Sequence, residues 1–267
     1  MIHQTKEGLH LYYEIHGKKD AKTTLIFLNG LTQGTIAWAL TVPYLASDYQ
    51  IVLMDLVFQG SSDKDAEWRT FDQHAADVKS LVDELKPENL VMIGLSYGGM
   101  VAQHFAVLYP NVLKKLVLMG TLAHKTPIFN AIGNSWWRAL ESGGYTLMFD
   151  VMLPSVLSDT YFKNPLIPIE AMKDARLQAG MHPEPIIKLM KATEAREDYR
   201  EKLKKIITPT LIIHGEKDFL LPREFPMEIH KNISNSHLEI IPNVGHTLNL
   251  EAVPQTLALI KEFIKDI

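Results

Sequence analysis

Residues 89–99 read "NLVMIGLSYGG", an apolar run that ends in a serine crowded by glycines. A strand seldom hands over to a helix through so little chain. Gly94, Ser96, Gly98 and Gly99 mark either a turn too sharp for side chains or a place where another backbone comes close. A helical pattern follows from about Tyr97 to Tyr109, so the context is strand, tight turn, helix. Gly-x-Ser-x-Gly in that context is a nucleophile elbow, a strained turn that lifts a hydroxyl above the C-terminal edge of a sheet. Small residues are expected at 94 and 98 because strand and helix nearly collide there. The new helix also brings unpaired N–H groups and a positive dipole end, which favour developing negative charge. A serine helix cap with packing glycines is the plainer reading of the same residues.

On either side of this elbow the chain alternates. "LHLYYEIHG" (9–17) sets Leu9, Leu11, Tyr13 and Ile15 against polar neighbours, the pattern of a half-buried strand near a sheet edge. "TTLIFLNG" (23–30), "QIVLMDL" (50–56), "LKKLVLMG" (113–120) and "TPTLIIHG" (208–215) are instead continuous apolar runs, as in strands covered on both faces. Between them, 71–86 places Phe71, Ala75, Val78, Leu81, Val82 and Leu85 at spacings of three and four. Helices are also expected over 35–47, 98–109, 222–232 and 251–266. The alternation implies an α/β fold with a mostly parallel sheet. From Thr121 to Ile207 the rhythm stops: helical patterns there are broken by Pro127, Gly133, Gly143-Gly144, Pro154 and later prolines. This segment, 121–207, reads as a helical cap inserted into a core made of 1–120 and 208–267.

A serine hydroxyl needs a base, and the base an orienting acid. "LIIHGEKDFLLP" puts Asp218 just past a buried strand, and "HLEIIPNVGHTLNLEAVP" puts His246 after the last one. The order serine, acid, histidine and the position at strand ends both suit such a site. Asp218 as a plain turn former is the competing reading. Two backbone N–H groups are expected to face the oxyanion: Tyr97, next to the serine, and Leu31, in the loop "LNGLTQG" after the third strand. Gly30 is expected to let that loop approach Ser96.

Taken together, "GLSYGGMVAQHFA", "IHGEKDFLLP" and "VGHTLNLEAVP" resemble the α/β-hydrolase superfamily over nearly the whole chain. The resemblance implies catalytic Ser96, Asp218 and His246, oxyanion donors Leu31 and Tyr97, and a lid over an acyl-binding pocket. Two features depart from many members. Asn29-Gly30 stands where His-Gly is common, and "DLVFQGSS" (55–62) carries Val57 and Phe58 where arginine and glycine are common. Both are similar to the branch of acyltransferases that take hydroxyacyl chains from acyl carrier protein. The His-Gly pairs at 16–17 and 214–215 lie in other strand contexts and read as decoys.

Composition bounds the remaining classes. The 267 residues carry a net charge of −4 with both signs mixed, which argues against a nucleic-acid surface. There is no cysteine, hence neither disulfide nor thiolate metal site, which fits a cytoplasmic protein. No apolar run is long enough to span a membrane, and no motif asks for a metal or cofactor. The expectation is a serine hydrolase that cleaves an acyl ester, lactone or thioester through an acyl-enzyme. The alternative is an acyltransferase with another acceptor than water. The lysine-rich "REKLKKI" (200–206) reads as a solvated face, with an acidic carrier protein as its sharper interpretation.

Overall fold

The computed structural model describes residues 1–178 and 182–267. The chain enters through β1 (Ile2–Gln4), β2 (His10–Gly17) and β3 (Thr23–Leu28). A 3-10 turn (Thr35–Trp38) and α1 (Val42–Leu45) lead to β4 (Gln50–Met54). Then come α2 (Phe71–Leu85), β5 (Asn89–Leu95), α3 (Tyr97–Leu108) and β6 (Lys115–Met119). Five helices follow: α4 (Pro127–Val156), α5 (Asp159–Lys163), α6 (Ile169–Gln178), α7 (Pro183–Ala195) and α8 (Arg200–Leu203). The chain closes with β7 (Thr210–Gly215), α9 (Glu224–Asn232), β8 (Ser236–Ile241), α10 (Leu248–Glu251) and α11 (Val253–Ile264).

The eight strands form one sheet in the order β1-β2-β4-β3-β5-β6-β7-β8. The β1–β2 and β2–β4 pairs are antiparallel and all others parallel. Every residue of β3, β6 and β7 is buried, which is why those segments are apolar throughout rather than alternating. Alternate residues go to opposite faces. Leu25, Phe27, Val91 and Ile93 pack under Trp38, Leu45, Leu257 and Ile260. Ile26, Leu28 and Met92 pack against Val78 and Leu81 of α2, Phe105 of α3 and Ile229 of α9. The buried side chains of α4 and α7 join this second face.

The strand order reverses direction at one place. From β3 the chain steps to β4 on one side, then returns to lay β5 on the other. Such a switch point leaves a crevice at the C-terminal strand ends. The register Leu28↔Gly94 ends β3 and β5 side by side, so the loops carrying Leu31 and Ser96 emerge together. β7 and β8 end level as well, at Gly215↔Ile241, which brings the loops of Asp218 and His246 to the same edge.

Three local expectations change. The helix expected over 35–47 is two short pieces, because Pro43 lies in the first turn of α1 and has no N–H to continue an earlier helix. In α4, Gly133 is helical and Pro154 lies inside, so neither ends the helix. Gly143 and Gly144 do interrupt it, with Gly144 at φ 65° and ψ −162°. Among the described residues, no helix is long and apolar enough to cross a membrane.

Candidate active site

Ser96 sits at φ 51° and ψ −110°, a conformation that L-residues rarely adopt. The elbow is held by bonds on both sides. The Ser96 N–H donates to the Met119 carbonyl of β6, and the Thr121 hydroxyl donates to the Ser96 carbonyl. The glycines have distinct reasons. A Cβ on Gly94 would collide with the Gly98 carbonyl and the Gly99 Cα, where β5 meets α3. A Cβ on Gly98 would instead strike the Leu28 and Asn29 carbonyls at the end of β3.

From the elbow a hydrogen-bonded relay runs inward. The Ser96 hydroxyl donates to His246 Nε2 at 2.9 Å, and His246 Nδ1–H donates to Asp218 Oδ2 at 2.7 Å. The acceptor-only carboxylate fixes the tautomer, leaving Nε2 free to take the serine proton. Asp218 is anchored by the Leu221 N–H, which donates to Oδ1 at 2.8 Å. His214 stands behind it. Its Nε2 donates to the Leu221 carbonyl at 2.7 Å and lies 3.5 Å from Asp218 Oδ2. Burial pushes this imidazole below its ordinary range, so it stays neutral beside the acid.

The histidine loop is seated by backbone contacts. A Cβ on Gly120 (φ 47°) would come within 3.4 Å of the His246 ring, and one on Gly215 would overlap the Val244 and Gly245 carbonyls. The last carbonyls of α4, which a helix end leaves without internal partners, are used here. Ser155 O accepts from Leu220 N on the acid loop, and Val156 O accepts from His246 N. Glu251 closes the clasp: its Oε2 accepts from both Gly245 N and Ser158 N at 3.1 Å.

Above the serine, the Tyr97 N–H opens α3, where a helix has no internal acceptor to offer it. Neither it nor the Leu31 N–H has a hydrogen-bond partner among the described residues. Ser96 lies between two chambers. One of about 80 Å³ is walled mainly by apolar side chains, Trp136, Phe149, Met152, Val156 and Leu220 among them, with Thr32, Gln33 and Thr247 also in its lining. The other, of about 540 Å³, has Met100, Phe129 and Trp137 in its lining together with the polar Lys125, Asn130 and Asn134. The Lys125 ammonium donates to the Thr193 carbonyl at 3.1 Å and to that of Glu194.

The profile of the family described as serine aminopeptidase, S33, an α/β-hydrolase family, matches residues 19–252. The chain belongs to this family. Among relatives of the S33-family chain is an uncharacterized hydrolase of Bacillus subtilis (strain 168), YugF, 27% identical over 98% of this chain and 96% of that one. Another is the 2-hydroxymuconate semialdehyde hydrolase of Pseudomonas sp. (strain CF600), 24% identical over 91% of this chain and 87% of that one. A solved structure, MGS-M2, is an α/β hydrolase enzyme from a Medee basin deep-sea metagenome library. It is similar at TM-score 0.91 and 26% identity, covering 100% of this chain and 98% of its own.

In this S33-family chain the expected residues Ser96, Asp218, His246, Leu31 and Tyr97 converge at one sheet edge. One expectation about a neighbour is corrected. The atoms nearest to a Cβ at Gly30 would be those of the Gln33 side chain, from 3.3 Å, so close approach to Ser96 is not what demands glycine there. The Asn29 side chain turns away from the serine, donating to Met54 O and Asp55 Oδ1 and accepting from Trp38 Nε1. The "REKLKKI" basic residues are partly occupied, Arg200 with Asp198 and Lys204 with Glu201. Glu251, Gly120 and the end of α4 belong to the site's frame without having been expected. Only Glu251 had a signal, its place in the quoted run "VGHTLNLEAVP". Among the described residues there is no group of three or more side chains able to hold a metal ion.

Proposed function

We propose that this α/β hydrolase cleaves an ester or lactone through an acyl-enzyme on Ser96. The observation that carries the reading is the relay from Ser96 Oγ through His246 to Asp218, lying beneath two unpaired amides. As Ser96 attacks the carbonyl carbon, its proton passes to His246 Nε2, and Asp218 steadies the resulting imidazolium. The Leu31 and Tyr97 amides receive the negative charge on the carbonyl oxygen, each supplying roughly 3–4 kcal/mol. The imidazolium returns its proton to the departing alkoxide. Water, deprotonated by the same imidazole, then releases the acid.

The chambers support a division of the substrate. The small, mainly apolar one suits a short acyl group, and the larger one, with Lys125, Asn130 and Asn134 in its lining, suits a bulkier alcohol portion. The test is turnover of wild type and Ser96→Ala on p-nitrophenyl esters and lactones of graded acyl length, with product analysis. A 2-hydroxymuconate semialdehyde arm covers the activity after which the Pseudomonas relative is named. Expected are short-acyl preference, free acid as product and a loss on the order of a millionfold in Ser96→Ala. Undiminished turnover by Ser96→Ala would end the reading.

A further inference from the structure

A trans peptide unit is planar, so its C=O and N–H point in opposite directions. Whatever fixes the Gly30 carbonyl therefore aims the Leu31 N–H. Gln59 does this: its Nε2 donates to Gly30 O at 2.8 Å from a fully interior position. A second donor, the Gln33 N–H, reaches the same oxygen at 3.1 Å. Gln59 is itself held, with Oε1 accepting from Leu56 N at 3.2 Å and from Asn29 Nδ2 at 3.4 Å.

The loop that presents Gln59 is braced against considerable local strain. Phe58, immediately before it, sits at φ 78° and Gly60, immediately after, at φ 42°. Non-glycine residues at positive φ persist only where the surroundings over-determine them. Here they do: Phe58 N donates to Asp63 O, Gln59 N to Leu56 O, and Ser62 N to Gln59 O. Buried Asp55 accepts from Ser61 N through one oxygen and from Thr35 N through the other, tying this loop to the one that carries Leu31. A Cβ on Gly60 would overlap the Asp55 carboxylate, so the turn leaves no slack.

We infer that Gln59 is a positioning residue for the oxyanion hole, aiming and polarising the Gly30–Leu31 peptide whose N–H meets the substrate oxygen. This rests on the proposed acyl-transfer reading of Ser96. A donor on the carbonyl also strengthens the N–H of the same peptide as a donor. The effect belongs to the transition state, where the oxygen is charged, and so falls on kcat rather than KM.

Two variants test it, with rate measured on the best ester from pH 5 to 9. In Gln59→Leu, kcat falls about tenfold to a hundredfold, short of losing an oxyanion donor outright, while KM stays within about twofold. Gln59→Glu is isosteric and carries its own control. Its protonated carboxyl donates to Gly30 O as the amide does; its carboxylate cannot. The ratio of variant to wild-type kcat therefore approaches one at acid pH and falls as pH rises, a signature that loose packing would not produce. Fluorophosphonate labelling of Ser96 in the same samples reports that the relay is assembled. Wild-type kcat in both variants at every pH, or a pH-independent ratio in Gln59→Glu, overturns the inference. If Ser96→Ala is inactive in that same assay, the proposed function stands even then; if it is active, the reading of the site itself has failed.

Discussion

Ser96 and its glycines show how much a single backbone position can decide. Gly98 is bounded by carbonyl groups at the end of β3, not by a side chain that can rotate aside. Gly98→Ala is expected to cost about 2–3 kcal/mol, read as a lower denaturation midpoint, and to disturb the Leu31 loop along with it. Gly133 is the counterpart. It lies within α4 with nothing near its missing Cβ, so Gly133→Ala should stabilise by roughly 0.5–1 kcal/mol. Equal effects of the two substitutions would contradict this packing. In the proposed reaction Leu31 acts through its backbone, so the chemistry should follow the N–H and not the side chain. Leu31→Ala keeps kcat within a few-fold, whereas Leu31→Pro removes one oxyanion donor and about 10²–10³ in kcat. Steady-state kinetics on one ester distinguishes them.

At the scale of elements, α4 joins the chemistry to the helices around it. Its terminal carbonyls take the amides of Leu220 and His246, and the Glu251 carboxylate bridges the next turn to Gly245. Glu251→Ala strands two N–H groups and is expected to cost about 1–3 kcal/mol, with slower labelling of Ser96. Glu251→Gln, which keeps an oxygen acceptor, should retain most of both. The strands that frame this site were legible because a strand covered on both faces has to be apolar along its whole length. The meeting of Ser96, Asp218 and His246 was legible because the C-terminal ends of the strands share one edge. The three-residue β1 offered too short a pattern to read, and α4 was misread because Gly133 and Pro154 are tolerated inside a well-packed helix. Gln59 and the terminal carbonyls of α4 left no trace, since their partners are backbone groups in loops distant along the chain. A residue type does not reveal which peptide it will hold.

At the scale of the whole molecule, buried imidazoles contribute to the response to acid. His74 is fully interior, ringed by Phe58, Phe71 and Tyr97, and burial holds it down from 6.5 to about 3. Burial, with the Arg196 guanidinium, holds His104 down to about 4. Both fall below the unfolded value, so as pH drops past about 6.5 the unfolded chain takes up protons that the folded one refuses. Stability is full above that pH and drains below it, by about 1.4 kcal/mol per pH unit for each group. His74→Leu should remove one such slope, so the urea midpoint of the variant shifts in its favour relative to wild type between pH 7 and pH 4; parallel curves would contradict the burial of a neutral imidazole. What binds residue, element and molecule together is the hydrogen-bonded contact of Ser96, His246 and Asp218, on which the proposed function rests. Its most direct measurement is labelling by a fluorophosphonate at neutral pH, followed by intact mass and peptide mapping. The expected result is one adduct, on Ser96, formed far more slowly in His246→Ala. No adduct, an adduct on another serine, or unchanged labelling without His246 would mean that the three groups do not act together.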